Sequence, residues 1–395
     1  MSGADTPSTI ATLERRAAEA MRRRDFTSAV RELQGAAEQA PGRLELWLAL
    51  AAAHRASGEL SAALRAVDRA LQREPRAFPA LLMRASLLER IEGVRAAAPV
   101  YGAALLQAPS DDHLDEAARR ALAHAREVNS RHGAELNTAL RASLDALPLS
   151  GRAQQQAEVF VDRLTGRRRV YAQAPLGYAY PGLPAIEFWD RAQFPWLEPL
   201  EAAAPAIAAE MLAIGMQDAA LVPYMDLPDT QPVDQWAELN RSHAWTAFHL
   251  YQHGRRSEAN CTRCPHTLAA LEPVPQPDAV NRSPSAMFSV LKARTRIPPH
   301  TGVSNTRLVG HLALSVPPGC GFRVGAETRA WREGCAWVFD DTIEHEAWND
   351  SDTARAVLIF DVRHPLIPDE EHAAIAAIMA AMDLFSGAPS VQTPD

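Results

Sequence analysis

Three equally spaced prolines constrain the N-terminal part of this chain more than any other feature. Pro41, Pro75 and Pro109 follow one another at intervals of 34 residues. Alanines recur at fixed distances before each proline: Ala36, Ala70 and Ala104 five residues back, Ala29, Ala63 and Ala97 twelve back, and Ala17, Ala51 and Ala85 twenty-four back. The larger Leu33, Val67 and Tyr101 stand eight back. A period of this length predicts helical pairs that stack on one another.

The pattern resembles the tetratricopeptide repeat, in which small residues let two helices approach closely. Trp47 occupies the first large-residue position of its repeat. An alanine-rich helical bundle with an accidental period is the alternative. Residues 112–148 continue in a helical pattern that would cap or extend the stack. We therefore expect a helical repeat domain over residues 10–148.

A second domain of a different kind is expected in the rest of the chain, because 395 residues exceed what one core usually holds. A junction rich in proline and glycine covers residues 149–178. Leu197 to Ile214 predicts helix, and short alternating apolar runs after Trp245 predict strands. We expect a double-stranded β-helix, a cupin-like jelly roll, over residues 179–385, so that the whole chain is a multidomain protein of α and β type.

Charge and hydropathy argue against several classes of protein. A net charge of −8 and a pI near 5.9 do not suit a nucleic-acid surface. No apolar run reaches the roughly 18–20 residues that a membrane span needs. The opening residues MSGADTPSTI lack the layout of a secretory signal, so a cytoplasmic location is expected. Lys292 is the only lysine, and this bias toward arginine, with abundant alanine, suggests a GC-rich bacterial genome.

The residues with the most specific chemistry lie between Ser289 and Arg355. His300 opens one motif, His345 closes another, and Arg355 follows ten residues later at the head of an apolar strand. Iron(II) binds neutral imidazoles on one side and needs open positions for 2-oxoglutarate and O₂ on the other. A buried arginine suits the distal carboxylate of 2-oxoglutarate. The alternative for Arg355 is an internal pair with an aspartate or glutamate.

Three segments carry a family resemblance: HTGVSNTRLVGHLAL (300–314), FRVGAETRAWREGCAWVFDDTIEHEAWND (322–350) and FDVRHP (360–365). They resemble the aspartyl/asparaginyl β-hydroxylases, from about Tyr180 to Leu366, with LYQHGRRSEANC and CPHTLAALE as supporting segments. The resemblance implies iron(II) bound by His300 and His345, and 2-oxoglutarate held by Arg355. The resemblance also implies that Ser289 and His311 contact 2-oxoglutarate. The alternatives are that Ser289 only ends a strand and that His311 is bonded to a backbone carbonyl.

The sequence departs from related patterns at two positions. Most oxygenases of this class carry a ligand carboxylate two residues after the first histidine, where this chain has Gly302. Iron-dependent halogenases also lose that carboxylate, but in the family resembled here a two-histidine site is the norm. Some members of the family carry an arginine at the position of Val309, so its absence shifts the anchoring of the cosubstrate onto Arg355. The acids around His345 are expected either to support the metal ligands without binding metal or to shape the loop: Asp340, Asp341, Glu344 and Glu346.

Other candidates have two interpretations each. Arg307 shares a strand face with His311 and would pair with a substrate carboxylate or amide, or form a structural salt bridge. Arg255 and Arg256 would lie near the substrate or in a solvated basic turn. Three tryptophans would line a substrate channel or pack in the core: Trp245, Trp331 and Trp348.

The chain has four cysteines: Cys261, Cys264, Cys320 and Cys335. Cys261-x-x-Cys264, followed by His266, would form half a zinc site, a redox pair or a loop with reduced thiols. No second CxxC completes a zinc site. Part of the resembled family holds a disulfide in this region, so a local disulfide remains an alternative to reduced thiols.

The expected reaction is hydroxylation of a C–H bond, at the β-carbon of an aspartate or asparagine in a peptide or protein that the repeats would present. Hydroxylation of an acyl chain, as in the family's lipid branch, is one alternative. A repeat-based adaptor with a degenerate oxygenase domain is another, and the intact His300, His345 and Arg355 argue against it. The sequence does not name the substrate or the oligomeric state.

Overall fold

A computed structural model describes residues 6–110, 113–215, 218–228, 230, 234–279 and 281–386. It consists of two compact units, a helical one up to Arg168 and a sheet-rich one from Arg169. The division falls inside the junction predicted over residues 149–178. That segment also contains a helix, which packs within the helical unit.

The described part of the helical unit is built from eight helices. They are α1 (Thr6–Arg22), α2 (Phe26–Gln39), α3 (Leu44–Ala56), α4 (Leu60–Arg73), α5 (Phe78–Ile91), α6 (Val94–Leu105), α7 (Glu116–Asp145) and α8 (Gly151–Leu164). Helices α1 and α2, α3 and α4, and α5 and α6 pack in pairs. Pro41, Pro75 and Pro109 each stand just after the second helix of a pair, where proline cannot continue the helix.

The alanine columns explain how these helices approach. All nine alanines are at most 1 % exposed: Ala17, Ala29, Ala36, Ala51, Ala63, Ala70, Ala85, Ala97 and Ala104. A methyl side chain keeps the two helix backbones close, and the larger Leu33, Val67 and Tyr101 fill the space beside them. The predicted helical repeats are therefore confirmed.

The sheet-rich unit carries five helices among its described residues: α9 (Leu197–Ala202), α10 (Ala204–Ile214), α11 (Glu258–Cys261), α12 (Pro265–Leu271) and α13 (Asp369–Ser386). Its strands are β1 (Val222–Pro223), β2 (Trp245–Gln252), β3 (Arg255–Arg256), β4 (Ala286–Leu291), β5 (Thr295–His300), β6 (Arg307–Ser315), β7 (Cys320–Val324), β8 (Glu327–Arg329), β9 (Ala336–Phe339), β10 (His345–Asn349) and β11 (Arg355–Arg363).

These strands form two antiparallel sheets. The major sheet has the order β1-β2-β4-β11-β6-β9, with β3 paired to β2, and the minor sheet has the order β5-β10-β7-β8. From β4 onward the chain passes repeatedly from one sheet to the other. This is the sandwich connectivity that the jelly-roll prediction requires.

Strand β11 shows how the major sheet separates its two faces. Side chains alternate along a strand, so Leu358, Phe360 and Val362 pack toward α9 and α10. Arg355 and Val357 belong to the opposite face, which packs against the minor sheet. The candidate site therefore lies between the two sheets. Among the residues that the structure describes, no helix is long and apolar enough to cross a bilayer.

Candidate active site

His300 and His345 are brought together by strand pairing. His300 ends β5, His345 begins β10, and the two residues are direct partners in the antiparallel register. Their ring centroids are 4.1 Å apart with an angle of 51° between the ring planes. The minor sheet thus places two imidazoles from separate motifs side by side.

Backbone carbonyls fix the orientation of both rings. Nδ1 of His300 lies 2.7 Å from the carbonyl oxygen of Pro298, and Nδ1 of His345 lies 3.1 Å from that of Ile343. Each Nδ1–H therefore donates, which leaves Nε2 with its lone pair. Burial lowers the pKa of His300 to about 4. Burial, with the neighbouring His300, also lowers the pKa of His345 well below its usual value. Both rings are neutral at pH 7, the form that binds metal.

Aromatic residues surround the histidine pair. The Trp236 ring meets His300 edge-on at 5.1 Å, and the Phe339 ring meets His345 at 5.6 Å. Trp245 stacks on Tyr224 with centroids 3.7 Å apart, and both line the cavity beside the histidines. These rings give the two histidines a largely apolar surrounding.

Arg355 is a buried guanidinium with open donors. It is 1 % exposed, and within the described part of the chain its Nε and Nη1 have no hydrogen-bond partner. The face of Trp331 lies 4.7 Å from the guanidinium carbon. Burial lowers the pKa of Arg355 to about 10, so the group is still charged at pH 7. A buried charge without a carboxylate is costly, which makes a bound carboxylate its natural partner.

The other predicted cosubstrate residues share this cavity of about 60 Å³. Ser289 lies opposite Val357 and His311 opposite Ile359, so both point to the face that carries Arg355. The Ser289 hydroxyl accepts a hydrogen bond of 3.0 Å from Trp245 Nε1. Nδ1 of His311 is buried without a partner among the described residues. Burial and the nearby Arg355 lower the pKa of His311 well below its usual value.

Arg307 and Val309 line the same cavity. Arg307 already holds two buried carboxylates: Nη1 lies 3.0 Å from Asp341, and Nε lies 3.2 Å from Asp361. Asp361 also accepts a hydrogen bond of 2.7 Å from the backbone N–H of Ser285. This geometry matches the structural salt bridge that was one of the two interpretations of Arg307.

Gly302 has no room for a side chain. A Cβ atom there would collide with the carboxylate of Asp341. The backbone N–H of Gly302 donates to the carbonyl of Asp341 at 2.7 Å, which holds the two segments together. Among the described residues, no third His, Cys, Asp or Glu joins the two histidines in a metal-binding group.

The remaining acids near His345 have local partners. Asp340 accepts hydrogen bonds from the N–H and hydroxyl of Thr342, and burial raises the pKa of its carboxyl. Glu344 and Glu346 both bind Arg323. These contacts shape the loop before His345. Trp348 lies outside the cavity, against Gly321.

The structure does not bring Arg255 and Arg256 to this cavity. Both are exposed on the two-residue strand β3, where Arg255 donates to Asn281 and Arg256 pairs with Glu258. The interpretation as a solvated basic turn fits this placement.

The CxxC segment is also separate from the cavity. Cys261 and Cys264 are free, buried thiols, and burial raises the pKa of Cys264 to about 12. His266 binds Glu210 through Nδ1 at 2.9 Å. Reduced thiols in a packed loop describe this segment best.

Sequence reasoning missed Asp361 and the contact between Trp331 and Arg355. An acid within the apolar strand β11, an even number of residues from Arg355, was a usable signal for Asp361. The Trp331 contact depends on how the loop between β8 and β9 packs, and no sequence pattern indicates it.

Comparison with known proteins identifies the class of each unit. Residues 201–365 match the model of the aspartyl/asparaginyl beta-hydroxylase family, and residues 20–87 match the tetratricopeptide repeat. The chain therefore carries a domain that matches the aspartyl/asparaginyl beta-hydroxylase family, preceded by tetratricopeptide repeats.

Its relatives include hydroxylases that are named for different substrates. The human aspartyl/asparaginyl beta-hydroxylase is 38% identical over 135 residues, 34% of this chain but 18% of that protein. The ornithine lipid ester-linked acyl 2-hydroxylase of Rhizobium tropici is 34% identical over 194 residues, 48% of this chain and 64% of that protein. The match thus spans less than a fifth of the human relative.

A solved structure resembles the repeats. The TPR2B domain of yeast Sti1, in complex with an Hsp70 peptide, matches with a TM-score of 0.28 and 15% identity, over 32% of this chain and 98% of that one.

Proposed function

We propose that the sheet-rich unit is an iron(II)- and 2-oxoglutarate-dependent dioxygenase. It would hydroxylate the β-carbon of an aspartate or asparagine in a peptide or protein. One observation carries the proposal: two neutral, oriented imidazoles and a buried guanidinium with open donors line one small cavity. Family membership of residues 201–365 supports the same reaction.

The donor set fits the proposed cofactor and cosubstrate. His300 and His345 would hold iron(II) through Nε2, and the open donors of Arg355 would bind the distal carboxylate of 2-oxoglutarate. When bound, iron with 2-oxoglutarate and O₂ would supply the oxidising power for C–H hydroxylation, with succinate and CO₂ as co-products. Ser289 and His311 would contact the cosubstrate from the neighbouring strands β4 and β6.

The chain's own residues prepare the cavity for this chemistry. Burial keeps both imidazoles neutral, and the carbonyls of Pro298 and Ile343 fix the orientation of the rings. The aromatic side chains of Tyr224 and Trp245 would give the reacting C–H bond an apolar wall. Because Arg307 already binds two carboxylates, we assign it to positioning Asp341 and Asp361 at the cavity edge.

We further propose that the helical repeats present a peptide or protein to the oxygenase. Solenoid repeats form extended concave surfaces that suit a stretched chain. The proposal assigns all of the chemistry to the sheet-rich unit and only recognition to the repeats.

Succinate formation tests the reaction directly. The intact protein is incubated with iron(II), ascorbate and 2-oxoglutarate, and peptides from a host proteome are searched by mass spectrometry for addition of one oxygen. We expect iron-dependent succinate and oxidised aspartyl or asparaginyl peptides, and neither product from His345→Ala. A wild-type protein that makes no succinate with any peptide would contradict the proposal.

Acyl-chain hydroxylation is the second candidate, favoured by the 34% identity to the Rhizobium tropici acyl hydroxylase. It shares the iron and 2-oxoglutarate chemistry and differs in substrate. Oxygen found in a lipid extract, with unmodified peptides, would select it. An adaptor with a degenerate oxygenase is disfavoured by the complete set of His300, His345 and Arg355.

A further inference from the structure

A larger cavity of about 650 Å³ lies next to the candidate iron site. Arg307 lines both cavities. Along β11, Asp361 lines the small cavity and Arg363 lines the large one. In the segment leading into β4, Ser285 lines the small cavity and Ser283 lines the large one. Positions two apart share a strand face and lie about 6–7 Å apart. The large cavity therefore continues the iron site along one face of the major sheet.

The walls of this cavity include segments outside the family match of residues 201–365. One wall is the loop Leu176–Tyr178, and another is helix α13. Side chains hold α13 in place at both ends: Tyr180 donates to Glu371 at 2.6 Å, and Arg282 binds Asp383 at 2.6 and 2.9 Å. Part of the cavity wall thus lies outside the residues that match the family model.

The cavity wall is bonded to the loop that follows His300. The backbone N–H of Leu176 donates to the carbonyl of Gly302, and that of Gly177 donates to the carbonyl of Val303, both at 2.9 Å. A ligand that contacts the Leu176–Tyr178 loop would therefore lie next to the loop that directly follows His300, the candidate metal ligand.

The charges around the cavity are balanced within the chain. Three arginines line it, and each binds a carboxylate: Arg282 with Asp383, Arg307 with Asp341 and Asp361, and Arg363 with Asp369. This balance disfavours a phosphate or another strongly anionic ligand.

The rest of the lining mixes hydrogen-bonding and apolar side chains. The polar group includes Tyr178, Asn281, Ser283, Ser304 and Thr306, and the apolar group includes Leu176, Val303, Ile375, Ala376 and Met382. Ser304 and Thr306 already bond to each other, but each hydroxyl can form a further hydrogen bond that an acyl chain would not offer. A peptide offers both backbone hydrogen-bonding groups and apolar side chains, and a volume of 650 Å³ is within the usual range for a ligand pocket.

We propose that this cavity binds the segment of a peptide substrate that flanks the hydroxylated residue, with α13 as its specificity wall. The inference rests on the proposed function. The target residue would reach the small cavity past Arg307, while its neighbours in sequence lie between α13 and the Leu176–Tyr178 loop.

Filling the cavity tests the proposal. Ala376→Trp places an indole in the cavity, and Ala377→Trp is the matched control, because Ala377 is exposed and outside the lining. The probe is a pool of synthetic 13-residue peptides with a central aspartate or asparagine and varied flanks. We expect Ala376→Trp to lower peptide hydroxylation by about tenfold or more in kcat/KM, with succinate formation in the absence of peptide unchanged. Ala377→Trp should behave as wild type.

A second readout separates this proposal from the proposed function. Retention of the peptide pool by the intact, immobilised protein is measured by mass spectrometry without O₂, for both variants. Suppose that neither wild type nor the variants make succinate, but that only Ala376→Trp fails to retain the peptides. The oxygenase assignment then fails, and the assignment of the large cavity to peptide binding stands. Ala373→Leu, a smaller filler on the same wall, repeats the comparison if the tryptophan disturbs α13.

Two outcomes would overturn the cavity assignment. The first is equal hydroxylation and equal retention of the pool by Ala376→Trp and wild type. The second is hydroxylation of a fatty-acyl probe that only Ala376→Trp loses, with the peptides untouched, which would make the occupant an acyl chain.

Discussion

Two buried arginines line the small cavity and differ in what they bind. Arg307, at the start of β6, holds the carboxylates of Asp341 and Asp361 within 3.2 Å. Arg355, at the start of β11, rests on the face of Trp331, with two donor nitrogens that lack partners among the described residues. Both are at most 5 % exposed, so burial does not explain the difference.

The contrast separates a charge that belongs to the fold from one that awaits a ligand. Removing one partner from a buried pair leaves an uncompensated charge and strongly destabilises a protein. A buried charge with no internal partner already carries that cost, which binding of an anion would relieve. We therefore assign Arg307 to the structure of the cavity and Arg355 to the cosubstrate.

The largest expected effect is the loss of succinate formation when a metal ligand is removed. Without bound iron, neither arginine can influence catalysis. His300→Ala and His345→Ala should each abolish succinate formation, because a single imidazole does not hold iron in this cavity. Circular dichroism should show a folded protein in both cases. An active His345→Ala enzyme would remove the basis for the whole site, and a carboxylate bound to the metal in a crystal structure would remove the two-histidine assignment.

Stability should distinguish the two arginines next. Arg307→Met leaves two buried carboxylates without their cation, so it should lower the free energy of unfolding by about 3–5 kcal/mol. Arg355→Met removes an unpaired buried charge and should leave the stability of the ligand-free protein unchanged or higher. Urea unfolding without 2-oxoglutarate measures both. Equal losses in the two variants would mean that Arg355 is a structural residue as well.

Cosubstrate affinity should distinguish them in the opposite direction. Arg355→Ala should weaken the interaction with 2-oxoglutarate by about 2–5 kcal/mol, the usual cost of losing one member of a buried charged pair. Arg355→Lys should restore only part of this, because an ammonium group lacks the planar fork. The measurement is the 2-oxoglutarate concentration needed for half-maximal succinate formation. An unchanged requirement in Arg355→Ala would assign the distal carboxylate to another residue.

The smallest effects should come from residues outside the charged contacts. Val309→Ala removes two methyl groups from the cavity wall and should change the 2-oxoglutarate requirement far less than Arg355→Ala does. Arg255 lies on the exposed strand β3, so Arg255→Ala should leave the 2-oxoglutarate requirement the same as in wild type. A large increase in either variant would mean that the cosubstrate contacts extend beyond the strand face that carries Arg355.

The sequence predicted the parts of the molecule that follow local rules. Alanine columns with a fixed period revealed the helical pairs, because every repeat solves the same packing problem. His300, His345 and Arg355 stood in recognisable motifs, and strand alternation placed His311 and Arg307 on one face. The repeat and strand-face predictions needed only spacing and residue type, whereas the roles of the site residues also depended on the family resemblance.

The partners of Arg307 could not be obtained in that way. Its two carboxylates come from the loop before β10 and from β11, so the pairing depends on the register between strands distant in sequence. The clash that excludes a side chain at Gly302 likewise depends on the approach of Asp341. The large cavity depends on where α13 packs, and no motif in residues 369–386 indicated it.

Stabilisation by 2-oxoglutarate tests the central claim most directly. The free energy of unfolding of the intact, iron-loaded protein is measured without O₂, with and without 2-oxoglutarate, for wild type and Arg355→Met. At a concentration of 100 times Kd, a ligand that binds only the native state adds about 2.7 kcal/mol. We expect a gain of this size for wild type and little or none for Arg355→Met at the same concentration. Equal stabilisation of both proteins would contradict the assignment of Arg355 to the cosubstrate.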